Sequence, residues 1–111
     1  MSRRASVINE HLARKGVRMP FPGPAHCFSR TDIETLTPGQ QGCYGLFFRS
    51  VWIYIGKGDI RQRLLDHLNG DNECINRYRP SHWMALVTDD ADRLERELIQ
   101  EYLPLCNQIA N

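Results

Sequence analysis

The sequence predicts an α+β domain with a small three-stranded antiparallel sheet, made of a β-hairpin and a third strand, flanked by helices. Apolar segments of strand length lie at 42–48, 51–56 and 82–88. Stretches with a 3.6-residue apolar period follow the second and third segments, at 59–68 and 90–102. The order strand, strand, helix, strand, helix is typical of helices packed on an antiparallel sheet.

The composition indicates one globular domain. The chain has 111 residues, of which 41% are hydrophobic and 24% charged. No apolar run approaches the ~18 residues that a membrane span needs, so we expect no membrane role. The first residues lack the apolar segment of a secretory signal, and we expect a cytoplasmic protein. The formal net charge is only +1, so any nucleic-acid binding must use local basic patches.

The chain divides at residue 41. Residues 1–41 are interpreted as an N-terminal arm, with a short helix at 5–15, a proline-rich connector and a brief helical turn at 31–36. Residues 42–111 are predicted to form the compact unit. The arm either packs against that unit or reaches out from it.

The four cysteines give no metal-site or redox signature. They are widely spaced, form no C-x-x-C pair and, even with His26 added, match no zinc-ligand spacing: Cys27, Cys43, Cys74 and Cys106. We therefore expect reduced, partly buried thiols.

The hairpin brings two phenols close together. If Tyr44 faces Tyr54 directly, the turn must contain an odd number of residues, because a two-residue turn would send them to opposite faces. Arg-Ser is a poor type I′ sequence, so an odd loop or a bulge is favoured. In that register Leu46 and Trp52 share the tyrosine face. The opposite face receives Phe47, Val51, Ile53 and Ile55.

The last predicted helix turns one carboxylate inward. Glu95 falls inside the apolar arc that contains Leu94 and Leu98, whereas Glu97 and Glu101 lie on the solvated side. An inward-facing carboxylate must be paired, protonated or bound to a cation. A salt bridge with an internal arginine and a metal-ligand role both stay open.

The helix after the hairpin is less decisive. Arg63 and His67 border its apolar stripe, and Arg61 would point inward if the first turn were regular, so periodicity does not choose between the arginines. Several further residues have ordinary structural explanations when each is taken alone. Tyr44 and Tyr54 would be core aromatics, Lys57 a solvated lysine, His67 a surface histidine and Asn107 a helix-end cap.

Taken together, residues 42–107 resemble the GIY-YIG nuclease family. The first motif reads Gly42-Cys43-Tyr44, with a cysteine in place of the usual aliphatic residue, and the second motif is Tyr54-Ile55-Gly56. The two motifs are closer together than is usual in the family, so a tight hairpin is expected. Further elements follow in the family's order: Arg63-Leu64 with His67, Glu95 in an E-x-x-L-I context, Pro104 and Asn107.

The resemblance implies hydrolysis of DNA phosphodiester bonds with one divalent cation per site, Mg²⁺ or Mn²⁺. Glu95 would ligate the ion. Arg63 would bind the phosphate and offset its developing charge, with Lys57 and Arg61 as further substrate contacts.

The resemblance also assigns the proton-transfer groups. Tyr44 would deprotonate the attacking water with help from Lys57 or the field of the cation, since a free phenol has a pKa near ~10. Tyr54 would orient that water. His67 would assist proton transfer or bind phosphate, and Asn107 would hold the site together by hydrogen bonds.

Two functional interpretations remain. The first is a metal-dependent endonuclease, and the alternative is a catalytically silent nucleic-acid-binding or regulatory module with the same fold. Most family members take their targeting from additional domains. Here DNA contacts would come from the arm, a homodimer or a partner protein. The arm would make such contacts through Arg3, Arg4, Arg14, Lys15 and Arg18.

Overall fold

A computed structural model describes residues 20–108. The helix predicted at 5–15 lies outside the described residues, as do the arm residues expected to contact DNA, Arg3, Arg4, Arg14, Lys15 and Arg18. In the described range no helix is both long and apolar enough to cross a lipid bilayer.

The sheet has four strands, so the prediction of three was wrong by one. They are β1 (His26–Cys27), β2 (Gln41–Phe48), β3 (Val51–Asp59) and β4 (His82–Val87). The strand order is β1-β4-β2-β3, with antiparallel neighbours throughout. The two residues of β1 are too few to show apolar alternation, and their pairing opposite His82 and Trp83 arises only in the folded chain.

Four helices and a short 3₁₀ turn complete the described fold. They are α1 (Arg30–Ile33), α2 (Ile60–Leu68), α3 (Glu73–Tyr78), α4 (Ala91–Tyr102) and the 3₁₀ turn Leu105–Asn107. Side-chain oxygens cap three helix starts, and each accepts from a backbone N–H of the first turn. The caps are Ser29 for α1, Asp59 for α2 and Asn72 for α3.

A bulge sets the register of the β2–β3 hairpin. Phe48 lies opposite Val51 across a two-residue turn, and Arg49 takes a left-handed φ of 57° there. The register then shifts, and Ile53 is the extra residue on β3. Of the two alternatives that we expected, an odd loop or a bulge, the structure confirms the bulge.

The bulge changes which side chains share a face. Tyr44 lies opposite Gly56, and Tyr54 lies opposite Leu46, so the tyrosines do not face each other directly as they would with an odd loop. They do share one face of the sheet. From the bulge towards the turn, side chains of β3 lie on the faces opposite to those predicted, because one added residue inverts the alternation. Ile53 therefore joins the tyrosine face, and Trp52 lies on the opposite face.

Each face of the sheet carries its own core. The face with the tyrosines packs against α1, α2 and α3, and its buried residues include Leu46, Ile53, Leu64, Ile75 and Trp83. The other face packs against α4, and its buried residues include Phe21, Phe47, Trp52, Ile55 and Leu98. β3 is an edge strand, so its outer border is where groups from both faces can meet.

The second half of the predicted arm packs on the sheet. Phe21 and Ile33 are fully buried, and β1 pairs with β4. Phe21 lies over Gly45, where an added Cβ would come within 2.8 Å of its ring. The division of the chain at residue 41 stays a prediction.

Two of the cysteines are paired, contrary to our expectation of free thiols. Cys74 on α3 and Cys106 in the 3₁₀ turn form a disulfide, with Cα atoms 5.7 Å apart. The pairing depends on tertiary proximity across 32 residues, which spacing alone does not reveal. Disulfides are rare in reducing compartments, so the cytoplasmic location stays a prediction that this bond does not support.

Removing the disulfide is expected to destabilise the fold. Replacing both Cys74 and Cys106 with serine should lower the free energy of unfolding by about 3–4 kcal/mol, because the open chain regains loop entropy. Urea denaturation measures this change. Cys27→Ser is the matched control, since Cys27 is an exposed free thiol. An unchanged urea midpoint in the double variant would contradict the structural role of the bond.

Candidate active site

The first motif is closely packed against β4. A Cβ on Gly42 would lie 2.1 Å from the carbonyl oxygen of Leu86, so the backbones approach too closely for a larger residue. Cys43 is fully buried, as expected for a small side chain at this position. Burial raises the pKa of its thiol to about 11, so Cys43 stays protonated at neutral pH.

The phenol of Tyr44 lies directly across Gly56. Tyr44 is 1% exposed, and a Cβ on Gly56 would come within 2.5 Å of its Oη. Glycine therefore leaves the space that the phenol occupies. The Tyr54 ring lies 6.3 Å from the Tyr44 ring, centroid to centroid. The second motif thus supplies both a neighbouring phenol and the gap that holds the first one.

His67 connects Tyr44 to an aspartate. Its Nε2 lies 2.8 Å from the Tyr44 Oη, and its Nδ1 lies 2.8 Å from Oδ1 of Asp71. The Tyr54 ring also packs edge-on against the imidazole. The ordinary explanation of His67 as a surface histidine does not hold, because His67 is 2% exposed.

Burial sets the protonation states of this cluster. It raises the pKa of both Tyr44 and Tyr54, and nearby Arg63 partly opposes the shift. Burial also lowers the pKa of His67, against the opposing effect of the Asp71 carboxylate. At neutral pH the cluster therefore holds neutral phenols and a neutral imidazole.

Arg63 lies beside the phenols, where aspartates hold its guanidinium. Its Nη1 is 3.0 Å from Oδ2 of Asp66 and 3.7 Å from Oδ2 of Asp71. Burial lowers the pKa of Arg63, but a hydrogen bond with Tyr44 and the two carboxylates outweigh this and raise it. Arg61 differs, because its Nε is buried and has no hydrogen-bond partner within residues 20–108. The structure thus joins Arg63, rather than Arg61, to the phenol cluster.

Lys57 and Glu95 lie on the other face of β3. Lys57 pairs with Cys43, so its side chain leaves the sheet towards α4, away from Tyr44. Its Nζ lies 2.5 Å from Asp92 Oδ1 and 3.8 Å from Glu95 Oε1. The hydrogen bond with Asp92 raises the pKa of Lys57. Lys57 therefore leaves β3 on the opposite face from Tyr44, and its help in deprotonating Tyr44 stays a prediction.

Glu95 is half-buried on α4, with a side chain 21% exposed. Burial raises its pKa, and Lys57 opposes that shift. Its ion pair is with Lys57, so the alternative of an internal arginine partner does not hold. After burial itself, the Glu95 charge is the next largest cause of the raised Tyr54 pKa. The charge of Glu95 on one face of β3 therefore raises the pKa of the Tyr54 phenol on the other.

Asn107 completes the outer edge of β3. Its Oδ1 accepts from the backbone N–H of Ile55 at 2.8 Å, and its Nδ2 donates to the Ile55 carbonyl at 3.0 Å. An edge strand leaves such backbone groups without a neighbouring strand. The side-chain amide of Asn107 forms hydrogen bonds with both backbone groups of Ile55, the residue between Tyr54 and Gly56.

Comparison with known proteins gave matches among solved structures. No protein-family model matches the chain. No curated protein matches it either. One match is the GIY-YIG N-terminal endonuclease domain of UvrC from Thermotoga maritima, bound to its catalytic divalent cation, magnesium. It is 30% identical to this chain, with a TM-score of 0.57, and the match covers 66% of this chain and 92% of that one. An asparagine-to-alanine mutant of the same domain, also bound to its catalytic divalent cation, matches at 30% identity and TM-score 0.57, covering 66% and 91%. The chain belongs to the GIY-YIG nuclease family.

The metal requirement of a GIY-YIG nuclease fits the donors present. Residues 20–108 contain no group of three or more His, Cys, Asp or Glu side chains arranged to hold a metal ion. Mg²⁺ does not need such a cage, because it keeps several waters and binds through one or two carboxylates. Glu95 offers a hard, partly exposed oxygen donor of this kind. The site therefore suits a hard divalent cation better than a thiolate- or imidazole-binding metal.

Sequence reasoning missed three aspartates of this GIY-YIG site. Asp66 and Asp71 hold Arg63 and His67, and Asp92 holds Lys57. Asp71 is four residues after His67, a spacing that brings side chains together on a helix. That signal was available, but the predicted helix stop at Asn69 and Gly70 separates the two residues.

Asn107 is expected to be needed for stability as well as for the site. Asn107→Asp keeps an acceptor for the Ile55 N–H but places a carboxylate against the Ile55 carbonyl. The free energy of unfolding should fall by about 1–3 kcal/mol, the cost of a half-buried polar group without its partner. Thermal unfolding measures this loss. Gln108→Glu is a neighbouring control of equal charge change on an exposed residue. Equal melting temperatures for the two variants would contradict the edge-completing role.

Proposed function

We propose that this GIY-YIG nuclease is a divalent-cation-dependent endonuclease that hydrolyses DNA phosphodiester bonds. The observation that carries the proposal is the convergence of two phenols, an imidazole and a guanidinium at one end of the hairpin. Glu95 approaches the same strand from the opposite face. These are the groups that phosphodiester hydrolysis needs for charge stabilisation and proton transfer.

Glu95 is the proposed ligand for one Mg²⁺ or Mn²⁺ ion. When bound, such an ion polarises the scissile phosphate and stabilises the leaving oxygen. Lys57 is close enough to Glu95 to bind a phosphate oxygen on the same side of β3. Asp92 would keep Lys57 charged, because their contact raises the pKa of the ammonium.

Arg63 is the proposed phosphate clamp. Its side chain is 37% exposed, which leaves room for a phosphate to approach, while Asp66 and Asp71 hold its guanidinium. A planar guanidinium can bind two phosphate oxygens at once and offset the charge that develops during cleavage. Arg61 remains a second proposed contact to the substrate.

Tyr44 and His67 are the proposed proton-transfer pair. With its pKa raised by burial, Tyr44 cannot act as a preformed phenolate at neutral pH. The neutral imidazole of His67 can accept the phenolic proton while the Tyr44 oxygen takes a proton from the attacking water. Tyr54 would orient that water, and Asn107 would hold β3 in place.

The substrate and its targeting form the remaining parts of the proposal. DNA is the proposed substrate, and the basic residues of the arm, a homodimer or a partner protein would place the site on it. A cytoplasmic location is proposed with this function.

Supercoiled plasmid tests the proposal. The purified protein is incubated with Mg²⁺ or with a chelator, and relaxed and linear products are resolved on a gel. We expect nicking with Mg²⁺ only, and loss of nicking in Tyr44→Phe. DNA binding without cleavage would indicate the alternative, a catalytically silent binding module. Nicking that persists in Tyr44→Phe would contradict the assigned site. Branched, single-stranded and RNA substrates then define preference.

A further inference from the structure

We propose that Asp71 is a positioning residue of this site, which holds His67 in the tautomer that accepts a proton from Tyr44. The inference rests on the proposed function and names a group that neither the motifs nor the comparisons assign. It depends on the backbone that places Asp71, on two hydrogen bonds in series, and on the second contact that Asp71 makes.

The end of α2 fixes the place of Asp71. Gly70 takes a left-handed φ of 94°, its N–H donates to the carbonyl of His67 at 3.1 Å, and the Asp71 N–H donates to the carbonyl of Asp66 at 3.2 Å. This pair of bonds is a Schellman motif, which turns the chain back over the last helical turn. The backbone therefore places Asp71 beside His67 independently of any side-chain interaction.

The hydrogen bonds then define one tautomer. The Asp71 carboxylate can only accept, so the His67 Nδ1 at 2.8 Å must donate to it. A neutral imidazole carries one N–H, which leaves a lone pair on Nε2. That lone pair lies 2.8 Å from the Tyr44 Oη, so the phenol donates its proton to His67. Without the carboxylate, the opposite tautomer would place an N–H against the phenol and block the transfer.

The proton balance of the step follows from this arrangement. The attacking water gives one proton to the Tyr44 oxygen, and the phenolic proton moves to Nε2 of His67. The water oxygen bonds to phosphorus as the bond from phosphorus to the leaving oxygen breaks. The resulting imidazolium lies beside the Asp71 carboxylate, which stabilises its charge. No oxidant, reductant or further reactant is needed.

Other charged groups around His67 must be separated from Asp71 in the test. Tyr44 and Tyr54 face the imidazole from the sheet, and Arg63 and Asp66 act on it from α2. Asp71 also lies 3.7 Å from Arg63, through its other oxygen. A purely structural role in holding Arg63 is therefore the competing explanation. Asp66 provides the control, because it contacts Arg63 at 3.0 Å on the same helix.

Asp71→Asn tests the proposal through the nicking rate as a function of pH. In the native protein we expect the rate to rise with pH as His67 loses its proton. The variant should be about 10- to 100-fold slower, as is typical when a group that orients a histidine is removed. Its acidic limb should also move to lower pH, because the Asp71 carboxylate raises the pKa of His67. Asp66→Asn should move that limb much less, because the Asp66 carboxylate raises the pKa of His67 less than Asp71 does.

Nitrogen-15 NMR of the His67 ring provides a readout that is independent of catalysis. We expect the proton on Nδ1 in the native protein and in Asp71→Glu, and a shift towards the Nε2–H form in Asp71→Asn. A lower rate with the same acidic limb and the same ring tautomer would overturn the positioning role. If the native protein nicks no DNA, the proposed function fails, and the ring tautomer still decides whether Asp71 orients His67.

Discussion

Replacing Glu95 with glutamine is expected to lower the rate of Mg²⁺-dependent nicking by about 1,000-fold. The change removes the negative charge but keeps the size of the side chain. A catalytic divalent cation supplies several kcal/mol of charge stabilisation, and about 4 kcal/mol corresponds to that factor. The rate is measured on supercoiled plasmid across a range of Mg²⁺ concentrations, and calorimetry measures Mg²⁺ affinity, which should fall in parallel.

Glu97→Gln is the matched control for this prediction. Glu97 lies on the exposed side of the same helix, where it pairs with Arg93 at 3.1 Å. The two variants therefore lose the same charge from α4, and only one loses the proposed ligand. A Glu95→Gln protein that keeps its native rate, or loses activity without losing Mg²⁺ affinity, would show that Glu95 is not the metal ligand.

The second large effect is expected at Arg63. Arg63→Ala should lower kcat by about 100- to 1,000-fold, the range found when one preorganised group that stabilises transition-state charge is removed. Arg61→Ala should reduce the rate much less, because contacts to the phenol cluster belong to Arg63. Single-turnover cleavage with saturating protein separates this loss from weaker DNA binding.

Arg93→Ala controls for the loss of a positive charge. Arg93 is exposed and is held by Asp90 and Glu97 on the solvated side of α4. Arg93→Ala should change the single-turnover cleavage rate much less than Arg63→Ala does. The same should hold for the salt dependence of that rate. A larger loss in Arg61→Ala than in Arg63→Ala would reverse the assignment of the phosphate clamp.

Local sequence patterns predicted the elements that carry their own signals. Asp59 caps α2, and Asn69 and Gly70 end it, as the cap and stop residues indicated. Helical periodicity placed Glu95 on the inward side of α4, and the structure makes it half-buried there. Each of these features depends on residues within a few positions of one another.

Features that depend on distant contacts were not visible in the sequence. β1 forms a strand only because it pairs with β4. The disulfide forms only because the fold brings α3 and the 3₁₀ turn together. The bulge at Ile53 decided which face Trp52 occupies, although the alternation of apolar residues fits either face. Asp71 became visible as a partner of His67 only once the turn after α2 was known.

The amide of Asn107 also bears on how copies of this protein behave towards one another. The outer border of β3 presents backbone groups that could form a ladder with a strand of a neighbouring molecule. The 3₁₀ turn, with Asn107 bonded to Ile55, occupies that border in the native fold. We therefore expect this turn to limit strand pairing between copies of the protein as well as to hold the proposed site, so its loss should lower solubility as well as activity.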